Sequence, residues 1–144
     1  MKTKLFVVAI TISLLLTGMA VEGGSGTVYE KEGKEFQTSQ EIHDWYDLNN
    51  VRNKLDSNYV LMNDLNKDTE GYDEVVNTEN GWKPIGDFKN PFTGSFDGNG
   101  YEISDLFTNR SKTRYVGLFG ALGPGSEVND LELIDADMRG DDYV

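Results

Sequence analysis

The stretch Phe92–Leu106, "FTGSFDGNGYEISDL", places Gly94, Gly98 and Gly100 with Asp97 and Asn99 between two runs of partly alternating apolar residues. Such a composition serves a phosphate cradle, a calcium loop or a chain corner. Gly98-Asn99-Gly100 is followed by neither Gly-Lys-Ser/Thr nor a helical pattern, so no nucleotide-binding signature is present. A calcium loop of the EF-hand kind needs Gly at its sixth position and Glu at its twelfth. Counted from Asp97, those positions hold Glu102 and Thr108. A looser calcium site made of Asp97, Asn99 and backbone carbonyls stays open beside the turn reading. The turn reading accounts for more residues. It sends Phe92 and Phe96 inward on one strand and Ile103 and Leu106 inward on the next, with the glycines carrying the chain around the corner.

Working outward, "RYVGLFG" and "EVNDLELIDADM" continue the texture of short, partly alternating strands punctuated by glycine. The turn chemistry of "DGNG" allows a two-stranded hairpin. The recurrence of segments gives a second reading. "YEISDLFT" (101–108) aligns with "SEVNDLEL" (126–133), pairing Ile103 with Val128, Asp105 with Asp130 and Leu106 with Leu131 at a spacing of 25. Arg114–Val116 finds a counterpart in Asp142–Val144 after 28 residues. One strand–turn–strand–turn cycle of that length suits a β-solenoid coil, in which each strand pairs with its equivalents above and below.

Upstream the texture differs. "SNYVLMNDL" (57–65) reads as a buried strand, and the acidic stretch after it as a loop interrupted by Val75 and Val76. In "TSQEIHDWYDLNNVRNKL", Thr38 and Glu41 fit a capping box. Ile42, Trp45, Tyr46, Leu48, Val51 and Leu55 follow at helical spacing, with a break expected at Asn49 and Asn50. This helical segment, 38–56, is expected to cover the open end of the first coil, burying Ile42, Trp45 and Leu55. Residues 21–37 are polar and Gly-containing, a loose lead-in with room for one short strand. At the start, "MKTK" precedes the apolar run Leu5–Thr17, and Gly18 and Ala20 occupy the small positions of a peptidase site. Residues 1–20 therefore read as a secretory signal peptide. Extension of the run through Val21 leaves an uncleaved anchor as the alternative. No Cys follows, which removes a lipoprotein anchor, disulfide staples and thiol chemistry together.

The ordered motifs carry a family resemblance. "GLFG" (Gly117, Leu118, Phe119, Gly120) resembles the repeat of GLUG-motif proteins. The resemblance extends over Tyr59/Leu61/Asp64, Trp82–Gly86, Phe92–Gly100 and Ile103–Leu106, in that order, and covers the chain from about Thr38 onward. It implies a mostly-β chain, a right-handed parallel β-helix of a few coils over residues 57–144, secreted or on the cell surface, often within long repetitive and adhesin-like proteins. It implies no catalytic residues. At Val144 the register calls for another such motif, so an N-terminal portion of a longer chain is expected, with further repeats as its partners.

Charge narrows the partners. The formal net charge is −12, and beyond the two lysines of the first twenty residues 25 acids face 11 bases. Nucleic acid is thereby excluded as a partner, and membrane contact is expected only through an uncleaved N-terminal segment. The acids Asp130, Glu132, Asp135, Asp137, Asp141 and Asp142 read as a solvated face, or as a carboxylate row for cations or a polysaccharide. His43 is the sole histidine, beside Asp44, and reads as a surface or capping residue; one histidine disfavours zinc. Asn109-Arg110-Ser111 is an N-glycosylation sequon. Two function classes follow: a non-enzymatic surface module with an adhesion, envelope or structural role, and a carbohydrate-active or polysaccharide-binding β-helix using its carboxylates.

Overall fold

In the computed structural model of the chain, residues 26–28 and 38–141 are described. The expected signal peptide, most of the lead-in and the segment Asp142–Val144 lie outside them. The described residues hold nine short strands: β1 (Gly26–Val28), β2 (Thr38–Ile42), β3 (Asn58–Leu61), β4 (Ser95–Asp97), β5 (Glu102–Ser104), β6 (Phe107–Asn109), β7 (Glu127–Asn129), β8 (Glu132–Ile134) and β9 (Asp137–Arg139). Two short helices, α1 (Trp45–Asn50) and α2 (Tyr72–Val75), and one 3-10 turn (Val51–Asn53) complete the elements. The fold is mostly β. Among the described residues no helix is long and apolar enough to cross a membrane.

The strands form three sheets. The largest runs β1-β2-β3-β4-β7, the other two are β5-β8 and β6-β9. Only β1 is antiparallel, lying along the edge of β2; every other strand pair is parallel. Parallel pairing requires a crossover of a dozen residues or more, so no two consecutive strands from β2 onward share a ladder edge through a hairpin. The "DGNG" hairpin is accordingly absent, because β4 and β5 belong to different sheets. The segment β4-β5-β6 is matched in order by β7-β8-β9: Phe96 pairs with Val128, Ile103 with Leu133 and Thr108 with Met138. Isolated bridges add Leu65 to Ile103, Ile85 to Phe119 and Phe92 to Leu122.

This register corrects the spacing of 25. Val128 sits beside Phe96, not Ile103, and Ile103 meets Leu133 thirty residues on. The physical reason is a shorter period nested within the longer one. Val128, Leu133 and Met138 follow one another every five residues, each strand being separated from the next by a two-residue corner. An alignment displaced by one such unit matches corner to corner and gives 25 in place of 30. The connections are also unequal in length. Seven residues from Phe96 to Ile103 are matched by five from Val128 to Leu133, and the seven from Ile85 to Phe92 by the three from Phe119 to Leu122.

The apolar residues expected to point inward do so. Phe92, Phe96, Ile103 and Leu106 are fully buried, in one cluster with Trp45, Leu48, Leu61, Leu65, Trp82 and Ile85. Two aromatic groups organise it. Trp45 meets Tyr72 and Trp82 edge-on at centroid distances of 5.8 and 6.1 Å, and Phe119 meets Phe92 and Phe96 at 5.1 and 5.6 Å. Each such pair contributes about 0.5–1.5 kcal/mol beyond simple burial, which matters in a chain without disulfides.

The helix begins later than its capping box predicts. Thr38 opens β2, where the backbone bonds of β1 and β3 on either side outweigh a single cap. The cap role falls on Asp44, whose carboxylate accepts from the Asp47 N–H at 2.8 Å, while Asp47 accepts from the His43 N–H at 3.0 Å. An Asp at this position stabilises a helix by about 1 kcal/mol over Ala. The break at Asn49-Asn50 is present, with α1 giving way to the 3-10 turn at Val51. Ile42 and Trp45 are buried, and Leu55 is half-buried. The acidic stretch is not wholly loop. Tyr72, Val75 and Val76, at helical spacing, turn α2 toward the core, and the Tyr72 hydroxyl donates to Asp105 O at 2.9 Å.

Among the described residues one fully buried core position is polar. Thr108 is fully buried on β6, and its hydroxyl has no hydrogen-bond partner among them. Thr108→Val keeps the shape and removes the unpaired hydroxyl, so it is expected to raise the unfolding free energy by about 1 kcal/mol. Urea denaturation with an unchanged slope checks this; a lower midpoint would show that the hydroxyl is engaged.

Candidate functional site

The corner between β4 and β5 is built from its own side chains. The Asp97 carboxylate accepts from the Asn99 N–H at 2.8 Å, and the Tyr101 N–H closes the turn on Gly98 O at 2.8 Å. Asn99 and Gly100 both have positive φ, 53° and 76°. Below, the Asn99 amide donates to Leu61 O at 3.3 Å, and Asp64 accepts from the Glu102 N–H at 3.0 Å. Above, Gly98 N–H donates to Asn129 O at 2.8 Å and Gly100 N–H to Asp130 O at 3.1 Å. Gly98 thus serves close approach, since a Cβ there would lie 2.5 Å from the Leu131 Cα. Gly100 serves the left-handed turn and has open space around it.

The acids at the other corners have the same explanation. Asp105, Asp130 and Asp135 all have φ between 48° and 59°, a region that Asp and Asn enter more readily than other side-chain-bearing residues. Asp130 and Asp135 therefore lie on corners and not on alternating strand positions. The expected carboxylate row is a set of turn residues interleaved with strand acids. Of the latter, Glu132 stands in register with Glu102, and Asp137 pairs with Arg139 at 2.8 Å. Asp141 is exposed, and Asp142 lies outside the described residues.

Asp97, Asn99, Gly100, Tyr101, Asp130, Leu131 and Glu132 line an open depression of about 690 Å³ on the side of the sheets. Its chemistry is three carboxylates, one amide and one phenol, a set that hydrogen-bonds to hydroxyl-rich ligands. Among the described residues no three of His, Cys, Asp or Glu gather into a group able to hold a metal ion. The calcium candidates Asp97 and Asn99 share one turn, where the Asp97 carboxylate accepts from the Asn99 N–H, while the Asn99 amide nitrogen donates to Leu61 O of β3.

The "GLFG" residues are structural in placement. Leu118 is buried, and its carbonyl accepts from Trp82 Nε1 at 3.1 Å and from the Ile85 N–H at 2.9 Å. Phe119 packs at a tilt against Phe92 and edge-on against Phe96. Gly117 and Gly120 flank them, and the Gly120 N–H donates to Ile85 O at 2.9 Å. Gly120 packs so closely on Gly86 O that a Cβ would reach it at 2.5 Å. Two motifs separate in sequence, Trp82–Gly86 and Gly117–Gly120, thus form one latch. Gly94 is pressed against the Ser57 backbone in the same manner. Asn109, at the end of β6, is exposed, and its N–H donates to Asn80 O at 3.0 Å. His43 is exposed, with its ring 3.1 Å from Glu41 Oε2.

One cluster has no signal in the sequence. The Arg52 guanidinium lies 4.1 Å above the Trp82 ring, while Arg110 donates to Trp82 O and Gly81 O at 3.1 and 3.2 Å. Burial, with a further push from the Arg110 charge, lowers Arg52 to about 10. The residues are some thirty positions apart, and only the folded chain brings them together.

No family model matches the chain, and no solved structure matches it. Two curated proteins are similar to part of it. A "Putative Gly-rich membrane protein" of Evansella cellulosilytica is 41% identical over 86 residues, covering 60% of this chain and 10% of that protein. "Halomucin" of Haloquadratum walsbyi is 37% identical over 87 residues, covering 60% of this chain and 1% of that protein. The chain thus spans about a tenth and about a hundredth of the length of these relatives.

Proposed function

We propose that the chain is a secreted or cell-surface module of the GLUG-repeat kind, a right-handed parallel β-helix with a helical N-terminal cap, acting structurally or in adhesion. The observation that carries this reading is the register: β4, β5 and β6 are each paired in parallel, in the same order, by β7, β8 and β9. Stacked repeats of this kind bury a continuous core and present a long lateral face. The names and sizes of the relatives, a membrane protein and a mucin-named protein many times longer, support a surface setting. Further repeats are the expected partners of the last paired segment. Several of its apolar side chains are only partly covered, Leu133 being 40% and Val128 36% exposed, with the preceding Leu122 at 52%.

The test is protease shaving of intact cells, combined with N-terminal sequencing of the released protein. The reading predicts recovery from the surface or medium without the segment Met1–Ala20. Protein confined to the cytosol with Met1 intact would overturn it. The open depression around Tyr101 favours a second reading, a polysaccharide-binding or carbohydrate-active face. Turnover separates the two: the module binds glycans or cells without releasing oligosaccharides, whereas the enzyme releases them and loses that activity in Asp97→Asn or Asp130→Asn.

A further inference from the structure

The chain carries Asn-Gly at Asn80-Gly81 and at Asn99-Gly100. In such a dipeptide the glycine nitrogen can attack the asparagine side chain, because glycine offers no Cβ to obstruct ring closure. The two nitrogens are held differently. Gly81 N–H donates within its own turn to Thr78 O at 3.0 Å, and Gly81 is wedged against the Phe107–Thr108 backbone in the buried interior. Gly100 N–H is held from outside its turn, by Asp130 O at 3.1 Å, and Asn99 itself is exposed.

The group that restrains Gly100 sits at the corner between β7 and β8. On these strands and the corner between them Val128, Leu131 and Leu133 are only partly covered. Segments with few buried contacts open locally at lower free energy than the core. We propose that Asn99 is a latent site of spontaneous deamidation and isoaspartate formation, released when the 127–139 segment lifts from β4–β6.

The chemistry needs only water. Gly100 N loses its proton to solvent and bonds to Asn99 Cγ, the Cγ–Nδ2 bond breaks, and Nδ2 takes a proton from solvent and leaves as ammonia. Water then opens the five-membered imide at either carbonyl, giving aspartate or isoaspartate. Isoaspartate routes the backbone through Cβ and adds one backbone atom at the corner. Gly98 and Gly100 can then no longer meet Asn129 O and Asp130 O together, so the segment cannot reseat. This inference does not need the surface role, but it requires the 127–139 segment to be uncovered; further repeats stacked on that segment would keep Asn99 closed.

The experiment incubates the full chain and a Val128→Asp variant in mildly alkaline buffer and follows both asparagines by peptide mass mapping. In the wild-type chain Asn99 is expected to react about tenfold or more slowly than in an isolated peptide spanning 92–106, as a locally closed segment requires. In the variant Asn99 should approach the peptide rate while Asn80 stays slow. Equal Asn99 rates in the wild-type chain and the variant would overturn the proposal. If Asn80 accelerates as well, the variant has unfolded as a whole, and hydrogen exchange on the wild-type chain decides. The Gly98 and Gly100 amides should open together with the β7 amides and before those of the core. Exchange of these amides only through global unfolding would sink the proposed gate.

Discussion

Chains carrying Gly94→Val or Gly98→Val are expected to lose their cooperative unfolding transition, whereas Gly100→Ala is expected to keep it. All three glycines belong to one nine-residue stretch, and composition alone gives them the same role. The structure separates them by what a side chain would meet. At Gly94 a Cβ would overlap the Ser57 carbonyl oxygen, and at Gly98 it would overlap Asp130 O and approach the Leu131 Cα at 2.5 Å. These neighbours are backbone atoms, Ser57 immediately before β3 and Asp130–Leu131 at the corner between β7 and β8, so relief requires moving the adjoining strands apart. The Gly98 N–H bond to Asn129 O at 2.8 Å would go with it. A cost above about 4 kcal/mol is expected, a large part of the stability of a small domain. Gly100 has no atom within 4 Å of its Cβ position, so alanine there incurs only the left-handed conformation, about 1–2 kcal/mol. Urea denaturation followed by circular dichroism checks the order; Gly98→Val unfolding at the wild-type midpoint would refute the close-approach role.

Trp45→Ala should be the most damaging truncation in α1, at about 3–5 kcal/mol. Trp45 is fully buried, touches the rings of Tyr72 and Trp82, and donates its Nε1–H to Asn66 O at 2.9 Å. Alanine leaves a cavity where α1, α2 and the Trp82 wall converge, and strips a carbonyl of its donor. Trp45→Asp adds an unpaired carboxylate to that cavity and is expected to yield insoluble chain. Trp45→Phe retains much of the volume and should fall between wild type and alanine. The remaining tryptophan, Trp82, reports unfolding by fluorescence in every variant. An unchanged midpoint for Trp45→Ala would show that the packing of α1 on the core is dispensable.

The inward positions of this fold were legible because large apolar residues stand singly between polar and glycine-rich corners. Phe92, Phe96, Ile103 and Leu106 could be placed from the sequence, and all four are fully buried. The pairing register was not legible. By the registers on either side, the residue standing opposite Leu106 is Ala136, which differs from it in size, whereas Leu131 repeats its Asp-Leu context. Local similarity among corners therefore outweighed the true equivalence. The cap failed for a related reason: Thr38–Glu41 satisfies the rule for a helix start, but the sheet claims those backbone groups first. For the candidate site, Asp97 and Asn99 could be singled out, while Tyr101, Asp130, Leu131 and Glu132 join them only once the strands are stacked. The Arg52–Trp82–Arg110 arrangement depends wholly on tertiary placement.

The unequal connections bear on how such a chain can change in length over time. Two extra residues are already accommodated between Phe96 and Ile103, and four between Ile85 and Phe92, with the flanking pairs still in register. By contrast, one residue gained or lost inside Glu127–Asn129, Glu132–Ile134 or Asp137–Arg139 would exchange inward and outward side chains along that strand. Insertions and deletions among relatives should therefore gather at the corners, especially around the 86–91 turn where Phe88 stands 82% exposed. New surface can be grafted there while the stacked walls below are inherited unchanged.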